Sequence, residues 1–470
     1  MPARDLKTTW RDSDRLVPRT FVRPVLRLLD VEAASAGIML VAAVAALLWA
    51  NSAWHGSYEQ LWETELVVRL GDVVDLDLGL REWVNGAAMA LFFLLAGLEI
   101  KRQLFLGELR NPRAAALPAM AALGGMVMPA LIYVAINRGH PGADGWGIPV
   151  ATDIAFAIGV VTLVGRRVPL GARIFVLTLA VVDDVGGIVV IALFYADGVS
   201  LGWLMVAAFA IAAAYLCRRG DVRSLAPYIA LGALCWLAFH EAGIESAIVG
   251  VVFGLLTPIR PFHEPRAFVP AGRALLADVE RAYADDDISD EERERNEDAV
   301  EELARLALET SSPLERVENR LGPWVTLLVV PVFAFANAGV RIETDALDGR
   351  VVLGVVLGLV AGKTVGVMGF SWLAVRLGIG QFPAGTTWAH LFGLAVTAGI
   401  GFTVALFVTS LSFDDAGLTA SAKLGVLAAS ALAGVLGFLA LRFLTPDRAP
   451  SASGRQDAST WTPSGSSATS

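Results

Sequence analysis

Residues 178–190 read Thr178-Leu-Ala-Val-Val-Asp183-Asp184-Val-Gly-Gly-Ile-Val-Val. Two adjacent carboxylates stand inside an apolar run that continues on both sides of them. An ionisable group near the middle of a membrane span costs on the order of 3 kcal/mol even on a lenient insertion scale, so such a pair marks function by default. Two aspartates capping a helix at a span end would need the apolar run to stop there, and it does not. On a helix the two side chains point about 100° apart, so one faces a given cavity squarely and the other faces a neighbour.

The whole composition places this stretch in a membrane. The chain has 470 residues, 55% apolar and only 18% charged, with a mean hydropathy of +0.60. Soluble domains carry about 25% charged residues. Cores of ordinary size cannot bury this apolar excess, which predicts an all-α polytopic membrane protein. A secreted disulfide scaffold and a nucleic-acid-binding protein are excluded. The two cysteines, Cys217 and Cys235, imply no disulfide framework, and no zinc-type Cys/His cluster exists. The net charge of −9 is local, because residues 264–322 hold seventeen acidic and eight basic residues.

About twelve apolar spans can be marked, at 34–53, 86–101, 114–136, 148–165, 173–196, 202–217, 225–240, 244–259, 323–340, 351–375, 388–411 and 420–444. Placing the N-terminus in the cytoplasm puts 30 Lys/Arg inside and 5 outside. The positive-inside rule therefore puts both termini in the cytoplasm. The chain divides into a cytoplasmic segment 1–33 without a signal peptide, spans one to eight at 34–258, an acidic cytoplasmic insert at 259–322, spans nine to twelve at 323–445, and a disordered cytoplasmic tail at 446–470. Residues 66–80 (LVVRLGDVVDLDLGL) alternate apolar and polar around Gly71-Asp72, which predicts an external β-hairpin; a loose loop is the plainer alternative.

Other misplaced polar residues lie in the fourth, tenth and eleventh spans. Pro149 and Gly159 bracket Thr152-Asp153. Either residue can cap a half-helix, or the pair is an ordinary interfacial cap. Lys363 sits in Gly358-Leu-Val-Ala-Gly-Lys363-Thr-Val-Gly, and the chain has only four lysines. A lysine that deep demands a carboxylate partner, with Asp183, Asp184 and Asp153 as candidates, whether it serves transport or only structure. The eleventh span has its own break at Thr397-Ala-Gly399-Ile-Gly401-Phe-Thr403. Paired broken helices in two halves point to a transporter's midplane site.

At these residues the chain resembles the NhaA-type sodium/proton antiporter family. The likeness rests on FFLLAGLEIKR (92–102), ALPAMAALGGMVMPALIY (116–133), IPVATDIAFAIGV (148–160), TLAVVDDVGGIVVIALFY (178–195), VPVFAFANAGV (330–340), AGKTVG (361–366) and GIGFTVALF (399–407). It implies an inverted-repeat fold in which spans three to five mirror ten to twelve and broken spans four and eleven cross, an architecture the family is known for. It also implies that Asp183 and Asp184 bind Na⁺ and exchange protons, supported by Asp153, Thr152 and Lys363, with Lys363 facing opposed half-helix C-termini and pairing with the first aspartate. Glu99 matches an acidic residue at the cytoplasmic end of span two. The departures are Gly86, where the family usually has Asp; Glu245, where it has His in the stretch opening span eight; Asn319 after Glu318, where it often has Glu-His; and Thr364 in place of Pro. These changes bear on regulation, with Glu99, Glu245 and Glu318 as candidate regulatory positions.

The expected activity is exchange of cytoplasmic Na⁺ or Li⁺ for external H⁺, electrogenic at the family's two protons per sodium, in the bacterial inner membrane. The resemblance adds a homodimer through the 66–80 hairpin. No cofactor, enzymatic activity or nucleic-acid partner is expected. Two rivals remain: a sodium-coupled organic anion symporter, which needs further cationic groups at the midplane, and a non-transporting sensor with the same fold.

Overall fold

The computed structural model describes residues 32–70, 74–196, 198–222, 224–261, 265–282, 290–342 and 347–445. Helices dominate. In chain order α1 (Glu32–Ala50) and α2 (His55–Glu63) are followed by β1 (Glu65–Leu70) and β2 (Val74–Gly79). Next come α3 (Leu80–Phe105) and α4 (Pro112–Asn137), a 3-10 segment (Pro141–Val150), α5 (Ile154–Val164) and α6 (Leu170–Phe194). Then follow α7 (Leu201–Arg219), α8 (Leu225–Glu241), α9 (Ile248–Leu256), α10 (Pro265–Ala282) and α11 (Asp290–Thr310). The last are α12 (Pro313–Asn337), α13 (Gly349–Arg376), α14 (Trp388–Thr397), α15 (Phe402–Ser412) and α16 (Ala416–Phe443).

β1 and β2 pair antiparallel, from Glu65 opposite Gly79 to Leu70 opposite Val74. The Gly71-Asp72 turn lies outside the described residues, as do residues 1–31 and the tail 446–470. The acidic insert carries α10 and α11.

Among the described residues seven helices are long and apolar enough to cross a membrane, or ten if each of three bent pairs counts as one span. Twelve were expected from the sequence. The difference lies at 225–240 and 244–259. The first is α8, with 17 residues. The second is interrupted at its start: Gly243 takes a positive φ of 73°, Glu245 and Ser246 occupy the turn, and α9 has only nine residues. Nine residues rise about 14 Å, roughly half of a hydrocarbon core.

The bent pairs shape the rest. α1 and α2 meet at 115°, while the 3-10 segment with α5, and α14 with α15, each bend by 45°. Local chemistry sets the ends. Asn111 caps α4 through Arg113 N at 3.1 Å, Asp348 caps α13 through Arg350 N at 2.9 Å, and Asp415 caps α16 through Leu418 N at 2.8 Å. α4 and α13 pack at glycines: a Cβ on Gly124 or Gly366 would run into the other's carbonyl. That backbone approach carries Lys363 of α13 into the interior.

Candidate functional site

The two broken helices cross through their breaks, the extended residues 151–153 and the turn at 398–401. Asp153 N donates to Ile400 O at 2.6 Å, and Thr152 Oγ1 donates to Ala398 O at 2.8 Å. The Asp153 carboxylate then serves both half-helices. Oδ1 accepts from Phe156 N of α5 at 3.2 Å. Oδ2 accepts from Thr403 N at 3.0 Å and from Thr403 Oγ1 at 2.5 Å, both on α15. Phe402 N, the first amide of α15, donates to Ser430 Oγ of α16 at 3.2 Å. Two positive helix ends thus meet one buried carboxylate, which satisfies their amides and offsets their dipoles.

The opposite polarity is met by Lys363. Its Nζ donates to Val150 O, the last carbonyl of the 3-10 segment, at 2.5 Å, and to Asp183 Oδ2 at 2.6 Å. Lys363 and Asp183 side chains are 1% and 0% exposed. A lysine in that position holds a carbonyl end and a carboxylate together with charge-assisted bonds. A π-helical stretch, Gly358–Gly362, immediately precedes it in α13. The glycine-rich run before Lys363 is therefore a widened turn, a feature common at functional sites.

Asp183 and Asp184 divide their labour. Asp183 is bound to Lys363 through Oδ2, while its buried Oδ1 has no hydrogen-bond partner. Asp184 is half-buried and makes no hydrogen bond or ion pair among the described residues. Both line a small cavity with Phe92, Phe93, Ala151, Gly187 and Val404. Its volume open to the centre of a water-sized sphere is about 10 Å³, room for about one water or one dehydrated ion of similar size. Carboxylate oxygens with unused lone pairs in such a space suit a hard cation or a proton. A wider cavity of about 620 Å³ borders the same helix at Ile174, Leu177 and Thr178. Thr178 is five residues from Asp183, about 7.5 Å along the helix axis.

The candidate regulatory residues fall into two places. Arg102 joins Glu99 and Glu318: it bonds Glu99 Oε2, and its Nη1 lies 3.2 Å from Glu318 Oε1. Gln103 Nε2 adds a bond to Glu99 Oε1 at 2.9 Å. Glu245 is elsewhere, in the turn between α8 and α9, where Oε1 accepts from Ala247 N at 3.0 Å. Gly86 has a packing reason. A Cβ there would meet Ser246 Oγ and the Trp236 ring at 3.2 Å. Trp236 itself stacks on Trp83 and on His240, each with ring centroids at 5.7 Å.

Three residues of the site region had no role assigned from sequence. Thr403 and Ser430 complete the crossing. Lys101 donates from Nζ to Leu255 O at 2.6 Å and Thr257 O at 2.5 Å, closing the end of α9. A hydroxyl two residues after Gly401 was a readable helix-start signal for Thr403. Ser430 lies in mid-helix and offers no such signal.

With this geometry in hand, the relatives are informative. The sequence pattern of the family described as Na+/H+ antiporter 1 matches residues 26–441. The Na(+)/H(+) antiporter NhaA of Rhodopirellula baltica is 42% identical over 426 residues, covering 91% of this chain and 95% of that protein. The Na(+)/H(+) antiporter NhaA of Anaeromyxobacter sp. is 45% identical over 429 residues, covering 90% and 92%. Among solved structures, the sodium proton antiporter MjNhaP1 from Methanocaldococcus jannaschii aligns over 87% of this chain and 98% of its own, at 14% identity and a TM-score of 0.43. That last likeness is too distant to carry an argument. The match over most of the chain, and the identity to full-length relatives, show that the chain belongs to the Na+/H+ antiporter 1 family.

Proposed function

We propose that this chain exchanges cytoplasmic Na⁺, or Li⁺, for external protons by letting cation and proton compete for Asp183 and Asp184. The observation that carries the reading is the pairing of Lys363 with Asp183 beside an unbonded Asp184. Sodium must replace its water shell with several oxygens. Asp184, the free Oδ1 of Asp183 and water supply them. Thr152 Oγ1 is engaged with Ala398 O and Asp153 accepts three bonds, so these two residues hold the crossing in shape rather than lead the ligation.

A proton on Asp184 removes the charge that attracts sodium. A bound sodium displaces that proton. Lys363 couples the second carboxylate: when Asp183 turns to the cation, the ammonium loses its partner and can release a proton. Two protons then move per sodium, which makes the exchange electrogenic. The wider cavity near Thr178 gives cytoplasmic cations a route toward the pair, and rocking of one bundle against the other exposes it alternately. In this reading the chain crosses the bacterial inner membrane with both termini in the cytoplasm, spans three to five and ten to twelve form the inverted repeat, residues 259–322 form a cytoplasmic insert, and the hairpin joins two copies.

An organic-anion symporter would need free donors near the cation site. Both half-helix N-termini at the crossing already donate to Asp153 and Ser430, and a helix end with its amides in use is a poor carboxylate site. The test is an everted-vesicle assay with a fluorescent ΔpH probe. Na⁺ and Li⁺ should dissipate the gradient and K⁺ should not. No response to Na⁺ with the protein present in the membrane would reject antiport.

A further inference from the structure

Gly187 stands one turn beyond the aspartate pair on α6. At about 100° per residue it falls between the two in angle, about 40° from Asp183 and about 60° from Asp184, and about 4.5–6 Å further along the axis. It is buried and lines the cation cavity together with Asp183, Asp184, Ala151 and Val404. The residue sits inside a regular helix, so no left-handed backbone requires a glycine there. Packing does not require one either. A Cβ on the neighbouring Gly186 would strike the Met126 sulfur, whereas a Cβ on Gly187 would meet nothing within 4 Å. Among the described residues Gly187 is the only buried glycine with that much open space beside it. Glycine in a helix interior is less stable than alanine, so the position carries a cost that neither backbone nor packing explains. The space it leaves belongs to the cation cavity.

We propose, on the antiport reading above, that Gly187 is a specificity-determining position for the exchanged cation: its missing side chain leaves room for the water that completes the shell of Na⁺ at Asp183 and Asp184. The side-chain oxygens in the cavity are few. Asp183 Oδ2 is held by Lys363 at 2.6 Å, which leaves Oδ1 of Asp183 and the Asp184 carboxylate. The other side chains of the wall, Phe92, Phe93, Ile188 and Val404 among them, are apolar. Na⁺ must therefore keep water to fill its coordination, as hard cations do where protein oxygens run short. The cavity of about 10 Å³ admits about one such water. Gly187 is the i+4 neighbour of Asp183 and the i+3 neighbour of Asp184, so a water over it reaches an ion held between the two carboxylates. A methyl group there takes the place of the water and offers no lone pair. Li⁺ is smaller and is satisfied by fewer oxygens, so it loses less. A hydroxyl at the same position supplies an oxygen of its own.

The test is antiport in everted vesicles by the full-length native protein, Gly187→Ala and Gly187→Ser, with Na⁺ and Li⁺ titrated separately at one pH. In Gly187→Ala the KM for Na⁺ should rise about tenfold, the size of one lost contact to a charged group. The KM for Li⁺ should change much less, and turnover at saturating Li⁺ should stay near native. Gly187→Ser should bring the Na⁺ KM back toward the native value. Melting in detergent checks the geometry: Gly187→Ala should melt at or above the native temperature, because it fills open space and favours the helix. A lower Tm would show that the space is closed and would overturn the proposal. Equal rises in the two KM values would also overturn it, as would a serine variant no better than the alanine variant with Na⁺. Absence of both Na⁺ and Li⁺ exchange in the native protein would reject the antiport reading itself, and the role of Gly187 with it.

Discussion

Replacing Lys363 with alanine tests the ion pair at the centre of the fold. The ammonium is the hydrogen-bond partner of Asp183 Oδ2 and of the Val150 carbonyl, and Asp183 Oδ1 already lacks one. Alanine therefore leaves a fully buried carboxylate with no partner on either oxygen. Removing one member of a buried pair costs about 3–5 kcal/mol, because the remaining charge is uncompensated. The loss of the donor to Val150 O adds about 1–3 kcal/mol of unmet backbone demand. These figures apply while Asp183 stays ionised. The assay is thermal melting in detergent from pH 5 to 9 for the native protein, Lys363→Ala, and the double variant Asp183→Asn with Lys363→Met. The single variant should melt several degrees lower at pH 9 than the native protein. The double variant, which buries no charge, should recover part of that difference. An unchanged melting temperature at pH 9, or a double variant no better than the single one, would refute the pairing as a source of stability.

Thr403→Val removes the hydroxyl donated to Asp153 but keeps the amide, so it should cost about 1.5–3 kcal/mol; denaturation should show it, and Thr403→Ser should restore it. Deleting residues 67–79 removes most of both strands, whose exposed edges permit pairing between copies, and should give a monomer by light scattering that still transports; a persistent dimer would place the contact elsewhere. Glu245→His should introduce a new pH-dependent step in vesicle antiport between roughly pH 6 and 7.5, because histidine gains charge on protonation near 6.5 whereas a carboxylate loses it. Superimposable profiles would remove any regulatory role from this position.

The membrane class and the midplane charges were legible because hydrocarbon leaves few explanations for Asp183, Asp184 and Lys363 in apolar runs. Pairing of Lys363 was legible for the same reason, but its choice of Asp183 among three aspartates came from the family resemblance and not from the residues themselves. That choice depends on the closeness of α4 and α13 at Gly124 and Gly366, a packing fact without a local pattern. The breaks in spans four and eleven were visible from Pro149, Gly159, Gly399 and Gly401, and their hydrogen bonding to one another was not. Hydropathy overcounted the full-length helices near 225–259, since an apolar stretch reads the same whether it is one helix or a turn followed by nine residues.

Competition between sodium and protons at one carboxylate pair is most directly tested by proton release. The purified protein, in weakly buffered solution at a pH where it is active, is mixed with sodium chloride or choline chloride while pH is recorded with an indicator dye. Sodium should release protons in a saturable manner and choline should release none. Asp184→Asn, whose amide offers one weak oxygen and no titratable proton, should release far fewer or none while remaining folded. Saturable sodium binding without proton release in the native protein, or undiminished release in Asp184→Asn, would contradict the account.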